Sequence, residues 1–162
     1  MRRTFADGDP REMAVPTRPL RVLIADDHVV MRRSFREDLE AAGMEVCAEA
    51  ATGAEAVRAA LAERPDLCLL DVRMPGGDGI TAAESIRQAL PGMKIVLVTA
   101  FPDEDGVLAA ARAGADGYLT KDIGSRRLLH VLCAVMRGET SYPRRLLYPV
   151  LRALRPPERS GD

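Results

Sequence analysis

The chain has few cysteines, almost no net charge and no long apolar run, and each shortage removes a class of function. Cys47, Cys68 and Cys133 are odd in number, far apart and set in apolar segments. They form neither a disulfide framework nor a zinc site, and they read as small buried hydrophobes in a reducing compartment. Nowhere do about 18 apolar residues run together, so the sequence offers no membrane span. Met1-Arg2-Arg3-Thr4 opens no apolar stretch of the secretory kind, and the cytoplasm is the expected location. A formal net charge of −1 gives no general attraction to nucleic acid or to anionic lipid. What remains, 47% hydrophobic and 29% charged over 162 residues, suits one soluble globular domain with tails.

The stretch Leu67-Cys68-Leu69-Leu70-Asp71-Val72-Arg73-Met74-Pro75-Gly76-Gly77-Asp78-Gly79 organises the rest. An apolar run without turn residues reads as a strand buried on both faces, as inside a parallel sheet. Asp71 then stands at the carboxyl end of a central strand, where open α/β sheets place their chemistry. Pro75 and the glycines reverse the chain, and Asp78 is placed to cap the helix that follows.

In chain order, residues 1–18 carry Pro10 and Pro16 and no hydrophobic period, and read as a disordered arm. Residues 20–25 form a strand ending on Asp26-Asp27. Met31, Phe35 and Leu39 then mark an amphipathic helix closed by Gly43. Residues 44–50 make a second strand. Thr52-Gly53-Ala54-Glu55 is a capping box, and Val57, Ala60 and Leu61 line its helix. After the central strand come a helix over residues 80–90, a strand over 94–99, and an Ala-rich helix up to Gly114 that Gly106 weakens at its start. A short strand over 116–120 ends on Lys121, and a helix over 125–137 presents Leu128, Leu132 and Val135 on one face. This strict alternation predicts a doubly wound, five-stranded parallel sheet covered on both faces, over residues 19–138. Residues 139–162 read as a helical linker or tail.

Asp26 and Asp27, Asp71, Thr99 and Lys121 all end strands, and parallel strands end on one side. Clustered carboxylates repel one another, and a divalent cation is the usual remedy. Oxygen ligands without His or Cys suit a hard ion such as Mg²⁺. A carboxylate beside Mg²⁺, facing the Lys121 ammonium and the Thr99 hydroxyl, is equipped to accept a phosphoryl group.

Here the motifs meet a family. Asp26-Asp27, Asp71-Val72-Arg73-Met74-Pro75, Thr99-Ala100 and Gly114-Ala115-Asp116-Gly117-Tyr118-Leu119-Thr120-Lys121-Asp122 together resemble the receiver domain of two-component response regulators, over residues 20–138. The resemblance implies a flavodoxin-like fold with strand order 2-1-3-4-5, and Asp71 phosphorylated by the phosphohistidine of a sensor kinase. It implies Mg²⁺ held by Asp27, Asp71 and the Arg73 backbone carbonyl, with Asp26 acting through a water. Thr99, Ala100 and Lys121 would hold the phosphoryl oxygens, and the Tyr118 rotamer would report the state. The details look most like LuxR-type transcription regulators. Their C-terminal helix-turn-helix is not found in these residues, so DNA would be contacted only through such a domain, and dimerisation would follow activation.

The family often has proline after its lysine, where Asp122 stands here. A cis bond before a non-proline costs about 2.5–4 kcal/mol, so a trans bond is expected. Phe101-Pro102 stiffens a loop that usually moves. His28 and His130 are given structural places. Leu146, Leu147, Val150, Leu151 and Leu154 have helical spacing, interrupted by Pro149, and suit either a dimer surface or packing on the same domain. Arg144, Arg145, Arg152 and Arg155 lack the aromatic interleaving of a nucleic-acid arm and read as a solvated face. The residues from Pro156 onward are linker-like and suggest a longer natural protein. Two rivals remain. A dehalogenase-like phosphatase wants a second aspartate where Arg73 stands, and a degenerate receiver acting by contacts alone would not need the complete polar set.

Overall fold

The computed structural model describes residues 18–155. Its elements are β1 (Arg21–Ala25), α1 (Val29–Ala41), β2 (Glu45–Ala50), α2 (Gly53–Glu63), β3 (Leu67–Asp71), α3 (Gly79–Ala89), β4 (Lys94–Thr99), α4 (Glu104–Arg112), β5 (Gly117–Thr120), α5 (Ser125–Met136) and α6 (Arg144–Ala153). All neighbouring strands are parallel, in the order β2-β1-β3-β4-β5. This is the doubly wound parallel sheet that the alternation of elements predicts, in the flavodoxin-like order that the family resemblance implies.

Each central strand divides its side chains between two cores, because successive residues point to opposite faces. On one face Leu23, Cys68, Leu70, Ile95, Leu97 and Tyr118 meet the alanine-rich sides of α2, α3 and α4. On the other, Ile24, Leu67, Leu69, Val96 and Val98 meet Phe35 and Leu39 of α1 and Leu128, Leu132 and Val135 of α5. Side-chain acceptors start three of the helices. The Glu55 amide donates to Thr52 Oγ1 at 3.1 Å and the Ala51 amide donates back to Glu55 Oε2 at 2.9 Å. Asp78 Oδ1 accepts from the Thr81 amide at 2.7 Å, and Asp103 Oδ1 from the Gly106 amide at 2.6 Å.

Three expectations are corrected. Leu61 is exposed, because α2 sits on the sheet through the smaller Ala56 and Ala60. Cys133 lies on the solvent face of α5 and Cys47 is only half-buried, so Cys68 alone is a fully buried thiol. Burial pushes that thiol up to about 12. His130 is exposed and is not packed among the leucines. Of the apolar pattern in α6, left open between two readings, Leu146 and Val150 are buried, whereas Leu147, Leu151 and Leu154 face outward. The helix continues through Pro149.

The chain after α5 returns along the outer edge of β5. The Ser141 amide donates to the Asp116 carbonyl at 2.9 Å and the Tyr118 amide to the Ser141 carbonyl at 2.8 Å. The helix α6 then lies on α4. Arg18 forks onto both oxygens of Asp66 at 2.8 and 2.9 Å. The remainder of the expected N-terminal arm, residues 1–17, and the linker-like residues 156–162 lie outside the described residues. Among the described residues no helix is long and apolar enough to cross a membrane, and no peptide bond is cis, so Lys121–Asp122 is trans.

The turn after β3 depends on Gly79, whose amide donates to the Val72 carbonyl at 2.8 Å. A Cβ there would run into the Asp71 carbonyl and stand 3.2 Å from Val72 Cα, backbone on both counts. Gly79→Ala is therefore expected to destabilise by about 1–3 kcal/mol or more in urea unfolding. Gly92→Ala, with open space around its Cβ, should stay within about 0.5 kcal/mol of wild type.

Candidate functional site

Three strand ends repeat one local device. Asp26 Oδ1 accepts the amide of His28 at 2.9 Å, Asp71 Oδ1 that of Arg73 at 3.2 Å, and Thr99 Oγ1 that of Phe101 at 3.2 Å. Aspartate and threonine favour such turns because the side-chain oxygen reaches the amide two residues on. Ladder bonds hold the same loops in register with the sheet. Asp26 donates to Ala50 at 3.0 Å, Val72 to Val98 at 2.9 Å and Lys121 to Thr99 at 2.9 Å. Rigid strands thus aim Asp26, Asp71 and Lys121 at one point, with Thr99 at the end of the neighbouring β4.

At that point Lys121 Nζ lies 2.9 Å from both Asp71 Oδ2 and Asp26 Oδ2. Asp26 and Asp71 are almost wholly buried, and the Asp27 side chain is 33% exposed beside them. The contact with Asp26 Oδ2 is an ion pair without hydrogen-bond geometry, which leaves that buried oxygen without a hydrogen-bond partner. Tyr118 is buried next to Thr99, with its hydroxyl against Gly106. A Cβ on Gly106 would lie 2.7 Å from the Tyr118 hydroxyl oxygen, so this glycine makes room for the tyrosine. The sequence suggested only a weak helix start. Ala100 is exposed and contributes no side-chain polar group.

The sequence gives His28 a structural place, yet its Nδ1 lies 3.1 Å from Asp26 Oδ1 and 3.1 Å from Asp27 Oδ1. The readable signal was the aspartate two residues before it, since the Asp26 turn draws the His28 backbone inward. Arg32 also reaches the site, donating from Nη1 to the Asp26 carbonyl at 2.6 Å.

The two buried carboxylates respond differently to sharing one ammonium. Burial disfavours the charged Asp26, but the His28 amide and the Lys121 ammonium overcome it and hold its carboxyl below the usual range. Burial also acts on Asp71, and the neighbouring Asp26 charge adds to it. Against these Lys121 is not enough, and the Asp71 carboxyl is held above its usual range. Burial lowers Lys121, but Asp71 and Asp26 outweigh it and raise its pKa. Asp26, Asp27, His28 and Asp71 each offer a ligand atom within 4.8 Å of the others. Three carboxylates around one ammonium leave uncompensated negative charge, and a hard divalent cation such as Mg²⁺ fits this oxygen-rich set.

A carboxyl with a raised folded pKa favours the fold below its ordinary pKa. It loses that advantage as the pH rises through the folded value. At neutral pH the ionised Asp71 therefore costs stability in metal-free protein. Asp71→Asn is expected to raise the melting temperature at pH 7 in chelator, and the difference should vanish towards pH 3. A melting temperature at pH 7 equal to or below wild type would contradict the electrostatic account.

Comparison with known proteins agrees with this geometry. Residues 22–133 match the family described as the response regulator receiver domain. The uncharacterized transcriptional regulatory protein YxjL of Bacillus subtilis is 41% identical over 124 residues, covering 76% of this chain and 57% of that protein. The oxygen regulatory protein NreC of Staphylococcus epidermidis is 38% identical over 123 residues, covering 75% of this chain and 56% of that protein. The chain thus spans just over half the length of these curated relatives. Among solved structures, a LuxR-family two-component response regulator from Aurantimonas superposes with a TM-score of 0.76 at 30% identity, covering 83% of this chain and 97% of that one. The signal receiver domain of NarL from Mycobacterium tuberculosis gives a TM-score of 0.73 at 32% identity, covering 75% of this chain and 99% of that one. With its sheet order, its strand-end carboxylates and these matches in agreement, the chain belongs to the response regulator receiver domains, among the LuxR- and NarL-type regulators.

Proposed function

We propose that Asp71 is the phosphoacceptor of a two-component switch, charged by the phosphohistidine of a sensor histidine kinase. The observation that carries this reading is the buried Asp71 carboxylate with Lys121 Nζ at 2.9 Å on one oxygen and the Arg73 amide at 3.2 Å on the other. Its carboxylate oxygen attacks phosphorus, the phosphorus–nitrogen bond to the donor breaks, and the leaving imidazole keeps the electron pair and takes a proton. Lys121 follows the developing phosphoryl oxygens, and the Thr99 hydroxyl turns from the Phe101 amide to bond one of them. Asp27, open to solvent beside Asp71, would hold Mg²⁺ with Asp71 and the Arg73 carbonyl, and Asp26, buried and engaged with His28 and Lys121, would act through a water. When bound, Mg²⁺ supplies charge compensation for the carboxylates and the incoming phosphoryl group. Arg73 stands where a dehalogenase-like phosphatase would carry its second aspartate, which disfavours that rival.

The output belongs to the same proposal. The names of the relatives, transcriptional regulators and a LuxR-family response regulator, support control of transcription through a helix-turn-helix domain beyond these residues. They also suit a cytoplasmic protein that self-associates on activation.

With acetyl phosphate and Mg²⁺, intact-mass spectrometry is expected to show one added phosphoryl group on wild type and none on Asp71→Asn. Equal gain by both proteins would overturn the assignment of Asp71. For the metal, Asp27→Ala should weaken Mg²⁺ binding about tenfold or more by calorimetric titration. Mg²⁺ at 100 times its dissociation constant should stabilise wild type by about 2.7 kcal/mol in denaturant unfolding. Unchanged Mg²⁺ affinity in Asp27→Ala would remove it from the ligand set.

A further inference from the structure

Beside the acidic pocket stands a nitrogen that the phosphoryl chemistry does not use. His28 is the N-cap residue of α1, in extended backbone (φ −90°, ψ 113°), yet its side chain caps no helix amide. Its own amide donates to Asp26 Oδ1 at 2.9 Å, and this turn brings the ring over the strand ends instead. There Nδ1 lies 3.1 Å from Asp26 Oδ1, 3.1 Å from Asp27 Oδ1 and 3.5 Å from Lys121 Nζ. A single N–H on Nδ1 is aligned with one carboxylate at the expense of the other, whereas a cation held between them serves both. The spacing suits a cation. Ligand atoms at right angles around an ion about 2.1 Å away stand about 3.0 Å apart, and opposite ones about 4.2 Å. Asp26, Asp27, His28 and Asp71 offer atoms that all lie within 4.8 Å of one another. An independent observation is Asp26 Oδ2, which faces the same Lys121 ammonium as Asp71 and so points into the pocket. The Asp26 side chain is 1% exposed, and this oxygen has no hydrogen-bond partner. A buried carboxylate oxygen in that state is short of positive charge, which an ion in the pocket supplies.

We propose that His28 is a nitrogen ligand of this pocket, and that it selects a borderline first-row transition cation, of the Co²⁺ or Ni²⁺ class, over Mg²⁺. The inference rests on the metal pocket proposed above. Asp27, Asp71 and the Arg73 carbonyl are hard oxygen donors, and Mg²⁺ fills its remaining positions with water. Imidazole suits the transition ions instead, whose affinity for mixed nitrogen and oxygen sites rises along the first row. His28 therefore leaves Mg²⁺ binding as the oxygens set it and adds affinity for the transition ion alone, taking a position that water holds on Mg²⁺. The His28 side chain is 65% exposed, so its ring is free to follow the ion without moving the buried carboxylates. Lys121 keeps its place between Asp26 and Asp71 on the inner side of the pocket. The occupant of the switch is then decided by one side chain at its rim, two residues after the buried Asp26.

The test uses the whole chain, with Mg²⁺ alone and Co²⁺ alone titrated by calorimetry in the same buffer. His28→Gln keeps a hydrogen-bond donor at the rim and removes the imidazole. It is expected to lose about tenfold or more in Co²⁺ affinity while holding Mg²⁺ within about twofold of wild type. X-ray absorption at the cobalt edge should show the outer-shell scattering of one imidazole in wild type and none in His28→Gln. His28→Phe, with an apolar ring of similar shape, should match His28→Gln, and it serves if that variant proves unfolded by circular dichroism. Asp27→Ala should weaken both ions, as one shared pocket requires. Co²⁺ affinity unchanged in a folded His28 variant, or cobalt scattering without an imidazole, overturns the nitrogen ligand and leaves the Mg²⁺ pocket standing. Equal loss of both ions in His28→Gln does the same, since the ring would then act only through the carboxylates. Co²⁺ held undiminished by Asp27→Ala lies elsewhere and overturns the proposal as well. Wild type that binds neither ion overturns the metal pocket itself, and the role of His28 with it.

Discussion

One ammonium shared between two buried carboxylates is the constraint on which the site depends. Lys121 stands 2.9 Å from both Asp26 and Asp71, and neither carboxylate has enough solvent to neutralise it otherwise. The arrangement is deliberately incomplete in charge: three aspartates face one lysine, with a histidine at the rim. That deficit suits the pocket to a divalent cation, while burial and then the Asp26 charge raise the pKa of Asp71, and the His28 amide and Lys121 hold that of Asp26 low. A site with full internal compensation would be more stable and would have less affinity for a cation.

The sheet makes such a cluster possible. Parallel strands deliver all their carboxyl ends to one side, so residues distant in sequence meet without any long-range loop. The repeated turns at Asp26, Asp71 and Thr99 then fix each side chain through the amide two residues on. The chain reversal after β3 is equally constrained, since Gly79 lets α3 begin directly against the Asp71 backbone. Rigid strands and short loops hold the acidic pocket, while Tyr118 lies against both Thr99 of β4 and Gly106 of α4.

Much of this was legible along the chain, because local periodicity and covalent neighbours determine it. Apolar runs between turn residues gave five strands, alternation of strand and helix gave the parallel sheet, and the family resemblance gave its order. The residue type at each strand end gave the carboxylates, the hydroxyl and the ammonium. Capping residues Thr52 and Asp78 begin helices as their chemistry requires.

What the tertiary structure alone decided concerns which surfaces meet. The pattern of α6 shows two apolar stripes, and only the shape of α4 selects Leu146 and Val150 for burial over Leu147 and Leu151. Gly106 reads as a weak point in a helix until the Tyr118 hydroxyl is found against it. His28 reads as a loop histidine until the Asp26 turn draws it between two carboxylates. Cys133 reads as buried until α5 turns that face to water. The physical reason is common to all four. Periodicity reports the direction of a side chain relative to its own element, whereas burial and partnership depend on a second element that only the folded sheet brings near.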